Sequence, residues 1–347
     1  MGNGAKTAQI VAIVLAIELI FSLVVRMPIT YSFGLNDISV ETENPTPSDP
    51  EVYTPVSDPN NNTTSVTPTA VPTTSPDDNP VNISDDNTVN ELMWDYNPYY
   101  ELLDETDKNI YKDIYNCLKN AETSIDIEKY QIAFAKLKLI AEYAYFDHPE
   151  IFWYEGAFQY QYDMHTGKVV SYEPNYSDLA KDIENNREKI NQKAEEYIVA
   201  AKAETRGDVY KELVVHDMLC KNITYVIDSD YNQSVYSSLV NGKTVCAGYS
   251  RAFQYIMLKL GINVCYVSGD ANNGKAVDRH SWNIVKLDGN YYNVDVTWDD
   301  LDNEKLLYYE YFNLTDDQID DDHFRGEVSK GLPQCTSTEL AYKNIAA

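Results

Sequence analysis

Three side chains able to do acyl-transfer chemistry together occur in the order Cys246, His280 and Asp295, 34 and 15 residues apart. A thiolate can attack an amide carbonyl. An imidazole can take the thiol proton and pass it to the leaving amine, and a carboxylate can hold that imidazole in one tautomer. Taken singly, each has a plainer reading. A cysteine on an apolar helix is commonly a small core residue, and a histidine opening a strand is commonly hydrogen-bonded filler. Asp295 shifts the balance because it lies between Val294 and Val296. A carboxylate inside a strand is disfavoured and needs a partner.

The elements that must position these groups can be read around them. Cys246 begins a run with Phe253, Ile256, Met257 and Leu260 at helical spacing, and Gly261 stops it. A thiol at a helix N-terminus meets free N–H groups and the positive end of the helix dipole, both of which favour the thiolate. His280 opens one β-prone run, Trp282 to Leu287, and Asp295 lies in a second, Tyr291 to Trp298, with Asp288-Gly289-Asn290 between them. That is a hairpin. A two-residue loop at Gly289 and Asn290 sets Asp295 opposite Ile284. His280 then shares its face but lies on the order of 13 Å away along the strand. Direct contact requires another register, for example a turn centred on Leu287 and Asp288, or a bulge.

The segments Asn-Gly-Lys-Thr-Val-Cys246-Ala-Gly-Tyr-Ser, His280-Ser-Trp-Asn and Tyr-Asn-Val-Asp295-Val-Thr-Trp-Asp-Asp resemble the transglutaminase-like superfamily, and in particular its exported bacterial members. The resemblance is close from about Val215 to Trp298. It is looser at Asp147 to Trp153 and at Asp322-His323. It implies an α+β, papain-like cysteine proteinase fold, with a nucleophile helix packed on an antiparallel sheet. It also implies that Cys246 is the nucleophile, His280 the base and acid, and Asp295 the orienting group. The substrate it implies is a protein or peptide amide, with a thioester intermediate. Hydrolysis, as in a peptidase, and transfer to an amine, as in a transglutaminase, both remain open, with the exported relatives leaning to hydrolysis. Arylamine N-acetyltransferases share the Cys-His-Asp order but draw on cytosolic acetyl-CoA, against which an export signal argues. A silent surface-binding module is the rival from outside enzymology.

An oxyanion hole needs a second donor beside the Cys246 N–H, and the candidates upstream are Asn232, Gln233 and Tyr236. His148 and Glu150 beside Pro149, and His216 on a helical run, read as structural. The acidic run from Asp316 to Asp322 lacks the spaced ligands and bend glycine of a calcium loop. No Cys/His set has zinc spacing and no Gly-rich loop suits a phosphate, so the chain is expected to use neither cofactor nor metal.

The chain of 347 residues carries a net charge of −28. Between Arg26 and Lys108 there is no basic residue against 16 acidic ones, and the remainder is also acidic, which excludes a nucleic-acid-binding face. Ile10 to Val25 is an apolar run broken only by Glu18 and Ser22. It reads as an uncleaved membrane anchor within residues 1–30, or otherwise as a cleaved signal sequence. Residues 31–92, rich in Thr, Pro, Ser, Asn and Asp, read as a disordered spacer. A mainly helical region over 93–207 is expected to precede a catalytic core over 208–347, held outside the cell membrane. The five cysteines are too dispersed for a disulfide framework.

Overall fold

Two four-stranded antiparallel sheets are built in chain order from segments whose sequence patterns differ sharply. The computed structural model describes residues 29–32, 94–300 and 307–346, which fall in one compact unit. The apolar run at 10–25 lies outside the described residues, as does the spacer apart from residues 31 and 32, which fall in a strand. Among the described residues, no helix is long and apolar enough to cross a membrane.

The first sheet has the order β1-β3-β4-β2. Its strands are β1 (Ile29–Ser32), β2 (Ile125–Asp126), β3 (Tyr154–Tyr162) and β4 (Val169–Tyr176). β3 and β4 form a hairpin, and Gly167 turns it at φ 67°. Two helices flank β2. α1 (Glu105–Lys119) is capped by Asp104, whose side chain accepts from Asp107 N, and buries the stripe Ile110, Ile114 and Leu118. α2 (Phe134–Asp147) ends on a buried polar hub. There Asp147 accepts from Tyr99 N, Tyr100 N and the Tyr111 hydroxyl, and burial pushes its carboxyl up to about 6. His148 and Glu150 are joined at 2.8 Å, and Glu150 also accepts from Trp94 Nε1. Their role is structural.

α3 (Ile183–Lys202) and α4 (Asp208–Asn222) then lead through the short parallel pair β5 (Thr224–Tyr225) and β6 (Lys243–Thr244) into α5 (Cys246–Lys259). α5 is buried from Cys246 to Leu258 and stops at Gly261, φ 78°, as the sequence predicts. It packs on the second sheet, of order β10-β7-β8-β9, made of β7 (Val264–Asn272), β8 (Val277–Leu287), β9 (Asn290–Val294) and β10 (His323–Arg325). A one-turn helix α6 (Val296–Asp299) follows β9 directly. The fold is α+β, a buried helix carrying Cys246 at its N-terminus against an antiparallel sheet.

α4 also carries a buried charge problem. Glu212 is fully buried, accepts from Asn313 Nδ2 at 2.9 Å, and burial raises its carboxyl to about 8. The folded state therefore holds this proton to about pH 8, while the unfolded chain releases it near the ordinary value of 4.5. Stability attributable to the site is complete below pH 4.5 and is lost as pH rises through 8. Glu212→Gln removes this term. Its Tm should fall less than the parent's between pH 5 and 8, by several degrees, and parallel curves in a thermal melt series would refute the assignment.

Candidate active site

Cys246 stands at the first position of α5, and the first bonds within the helix are Gly248 N to Val245 O and Tyr249 N to Val245 O. The N–H groups of residues 246 and 247 precede those bonds and have no acceptor within the helix. Cys246 is 3% exposed. The approach to the helix is tight. A Cβ at Gly248 would lie 1.8 Å from Thr244 Oγ1 and 2.7 Å from Ser238 Oγ, so only a glycine lets this turn close on the preceding segment. That segment is itself tied down, because Asn232 O accepts from Val245 N at 3.2 Å and from the Thr244 hydroxyl.

The hairpin delivers the other two groups, in a register one step from the expected loop. Leu287 pairs with Asn290, so the loop is Asp288-Gly289 rather than Gly289-Asn290. Both loop residues have positive φ, 48° and 83°. This turn requires it, and Asp-Gly is one of the pairs that supply it. Asn283 then pairs with Val294, which sets Asp295 beside Trp282, diagonal to His280 on the same face. The separation of roughly 13 Å expected from the first register becomes a hydrogen bond: His280 Nε2 lies 2.6 Å from Asp295 Oδ2. With Nε2 so engaged, Nδ1 is the ring atom left for the Cys246 side chain, which is near enough to raise the basicity of the ring.

Asp295 lies one residue beyond β9 and is the N-cap of α6. Its Oδ1 accepts from Thr297 N at 2.8 Å and from Trp298 N at 3.3 Å. Its Oδ2 accepts from His280 and from a histidine the sequence reading left aside: His323 Nε2 lies 3.0 Å away. His323 is 2% exposed, and its Nδ1 is 2.5 Å from Asp322 Oδ1. The only sequence signal for it was the looser resemblance at Asp322-His323, since no local pattern says that a residue 28 positions downstream returns to Asp295.

Electrostatics follow from this geometry. Burial alone would lower the basicity of His280, but the Asp295 charge, followed by Cys246, outweighs it and raises the ring to about 10. Burial alone would raise Asp295, but the His280 charge and the hydrogen bonds from both imidazoles hold it well below the usual carboxylate range. His280, Asp295 and His323 are also side chains of metal-ligand type, with donor atoms within 4.8 Å of one another. Atoms that share a zinc ion stand about 3.3 Å apart, whereas these meet at 2.6 and 3.0 Å through protons.

The upstream candidates flank the nucleophile's approach. The Asn232 side-chain amide donates to Ile227 O and is committed to its own loop. Gln233, with Tyr231 and Ser234, lines a cavity of about 300 Å³ whose far wall is Phe152, Tyr154 and Glu155. Tyr236 stacks on Phe152. Tyr225 is 47% exposed and close enough to Cys246 and Asp295 to interact with their charges. His216, read as structural, is fully buried and bonded to Asp299 Oδ2 at 3.1 Å. All five cysteines are free and buried.

Comparison with known proteins agrees with the resemblance. The family model of the transglutaminase-like superfamily matches residues 192–296, from the second half of α3 to the start of α6. Two solved structures overlap locally, each at a TM-score of 0.28. One is a TGase, 16% identical over 37% of this chain and 41% of that one; the other is a proposed cysteine protease from Cytophaga hutchinsonii, 14% identical over 41% and 53%. The chain thus spans less than two thirds of either. No curated protein matches it.

The packing at Gly248 is directly testable. Gly248→Ala should cost about 1–3 kcal/mol in urea denaturation, as overpacking does, and should slow alkylation of Cys246 by displacing the first turn of α5. An alanine variant with parent stability and parent alkylation would show that this turn has room to spare.

Proposed function

We propose that this chain, which carries a transglutaminase-like domain at residues 192–296, is a thiol acyl-transfer enzyme acting on protein or peptide amides, and that it works as a cysteine peptidase. The observation that carries the reading is the 2.6 Å bond from His280 Nε2 to Asp295 Oδ2, on an imidazole whose other side serves a cysteine at a helix N-terminus. In this mechanism the proton rests on His280 and the Cys246 sulfur attacks the amide carbon. The C–N bond breaks as His280 delivers the proton to the departing amine, leaving a thioester. Water, deprotonated by His280, then releases the acid. Asp295 keeps Nε2 engaged so that the opposite nitrogen faces the sulfur throughout. The N–H groups at the start of α5 supply at least one donor for the oxyanion.

Hydrolysis needs only water at the thioester. Transfer to an amine needs a second, water-excluding site, and adding a primary amine to the assay tests for one. The apolar run at 10–25 and the acidic spacer support a setting at the outer face of a membrane, with the amide substrate supplied there.

Alkylation by iodoacetamide at pH 7 should be far faster at Cys246 than at a free thiol, and should fall to the free-thiol rate in His280→Ala. An ordinary rate in the parent would remove the enzyme reading and leave a binding module. Peptide-library cleavage read by mass spectrometry, with and without a primary amine, should give hydrolysed products in both; amine adducts alone would make it a transglutaminase.

The pH profile adds a sign. With His280 raised to about 10, the alkaline limb of kcat/KM should lie well above the ordinary imidazole value of 6.5. Asp295→Asn should move that limb down and lower kcat by about 10⁴-fold. A limb that stays put in the variant would mean that Asp295 does not govern the ring.

A further inference from the structure

We propose that His323, anchored by Asp322, is a positioning residue that fixes the Asp295 carboxylate beneath His280; this rests on the acyl-transfer reading above. The need for such a residue follows from where Asp295 lies. It is past the last β9 pair with β8; its backbone N–H is held by Tyr311 O, but its side chain is set only by what the carboxylate meets, and α6 is a single turn. A carboxylate offers about four acceptor sites, and all four are met here: Thr297 N and Trp298 N on Oδ1, His280 Nε2 and His323 Nε2 on Oδ2. Removing His323 empties one of the two sites on the oxygen that His280 uses, and lets that oxygen tilt away from the ring it must aim.

The fold makes room for this second imidazole. β10 lies at the edge of the sheet opposite β9, so His323 must reach Asp295 across β7 and β8. On the face that His280 and His323 share, β7 contributes Gly269, paired with His280, and Ala271, paired with His323. A Cβ at Gly269 would lie 2.2 Å from Phe324 O on β10 and 2.8 Å from the Trp282 ring. Without it, Trp282 lies flat enough to pack edge-on to His323 at 5.1 Å between ring centres, while Trp298 covers the ring at 4.4 Å and Tyr311 at 5.2 Å. Behind His323 the series continues. Its Nδ1 meets Asp322 Oδ1, and the Tyr311 hydroxyl donates to Asp322 Oδ2 at 2.6 Å. Both ring nitrogens therefore face carboxylate oxygens. The charged groups facing it are Asp295, Asp322 and His280.

The test separates positioning from packing by two substitutions. His323→Phe keeps a ring in the Trp298–Tyr311–Trp282 pocket and deletes both ring nitrogens; His323→Gln keeps an amide N–H to offer Asp295. The expected result is an alkylation rate at Cys246 about tenfold lower in the Phe variant, the size of effect seen for outer hydrogen-bond partners, and a smaller loss in the Gln variant. On a cleaved peptide kcat should fall with KM unchanged. In proton NMR the ring N–H of His280, held at 2.6 Å in the parent, should move upfield or broaden in the Phe variant and be kept in the Gln variant. Parent-like rates and spectra in His323→Phe, or equal losses in both variants, would overturn the assignment. Failure of the underlying reading looks different: the parent itself would alkylate like a free thiol, and His280→Ala would change nothing.

Discussion

An ionised carboxylate 1% exposed to solvent is the constraint around which this site is arranged. Moving a lone carboxylate out of water costs several kcal/mol even after relaxation, and the chain must return that cost in hydrogen bonds and opposite charge. At Asp295 four separate pieces of backbone contribute. β8 brings His280, the first turn of α6 brings two N–H groups, β10 brings His323, and β9 delivers the aspartate itself. The same bonds that make the ion tolerable hold it beside one imidazole, so satisfaction of the charge and aim of the ring are one arrangement.

The far end of α6 repeats the chemistry in a different setting. Asp299 N donates to Asp295 O, and the Asp299 carboxylate accepts from Tyr311 N at 3.0 Å and meets His216 Nε2 at 3.1 Å. Two buried imidazole–carboxylate pairs thus bracket a single turn, and their surroundings assign them different work. His216 and Asp299 have no exposed surface, and His216 is flanked by Tyr309 and Phe312. Burial lowers the basicity of His216 and raises Asp299, but hydrogen bonds to Asp217 and Asp299, with their charges, outweigh it at the ring and raise His216 to about 9, so the pair is a buried staple. His280 keeps 7% of its surface and has a sulfur on its open side. A perturbed histidine points to chemistry only where a reacting atom can reach it.

How much of this was legible follows from how local each determinant is. The nucleophile helix was readable because its apolar spacing, its start at Cys246 and its stop at Gly261 lie within sixteen consecutive residues. The face shared by His280 and Asp295 was readable from strand parity. Their contact was not, because it turned on whether Asp288 or Asn290 entered the loop, a choice between two tolerable turns. His323 was opaque for a different reason. Its partner Asp295 is 28 residues back, and its path crosses two strands on Gly269 and Ala271, small residues whose meaning appears only once β7 and β10 are paired. In the acidic run before it, Asp317, Asp320 and Asp321 are exposed. Asp316 and Asp322 in fact turn inward, to Arg325 and to His323.

The place of Asp295 just outside the sheet has a physical reason. Within an antiparallel ladder each N–H is already given to a neighbouring strand or points away from the side-chain face, so a strand-interior carboxylate finds no backbone donors. One residue later the chain turns into α6, whose first N–H groups have no helical acceptor and converge on the N-cap side chain. A carboxylate that must stay charged to steady an imidazolium is therefore better housed at a strand-to-helix junction than in either element. The Val-Asp-Val pattern that first made Asp295 look misplaced in a strand is the trace of that junction: Val294 belongs to the sheet, Val296 to the helix, and the aspartate to the single position between them where free donors exist.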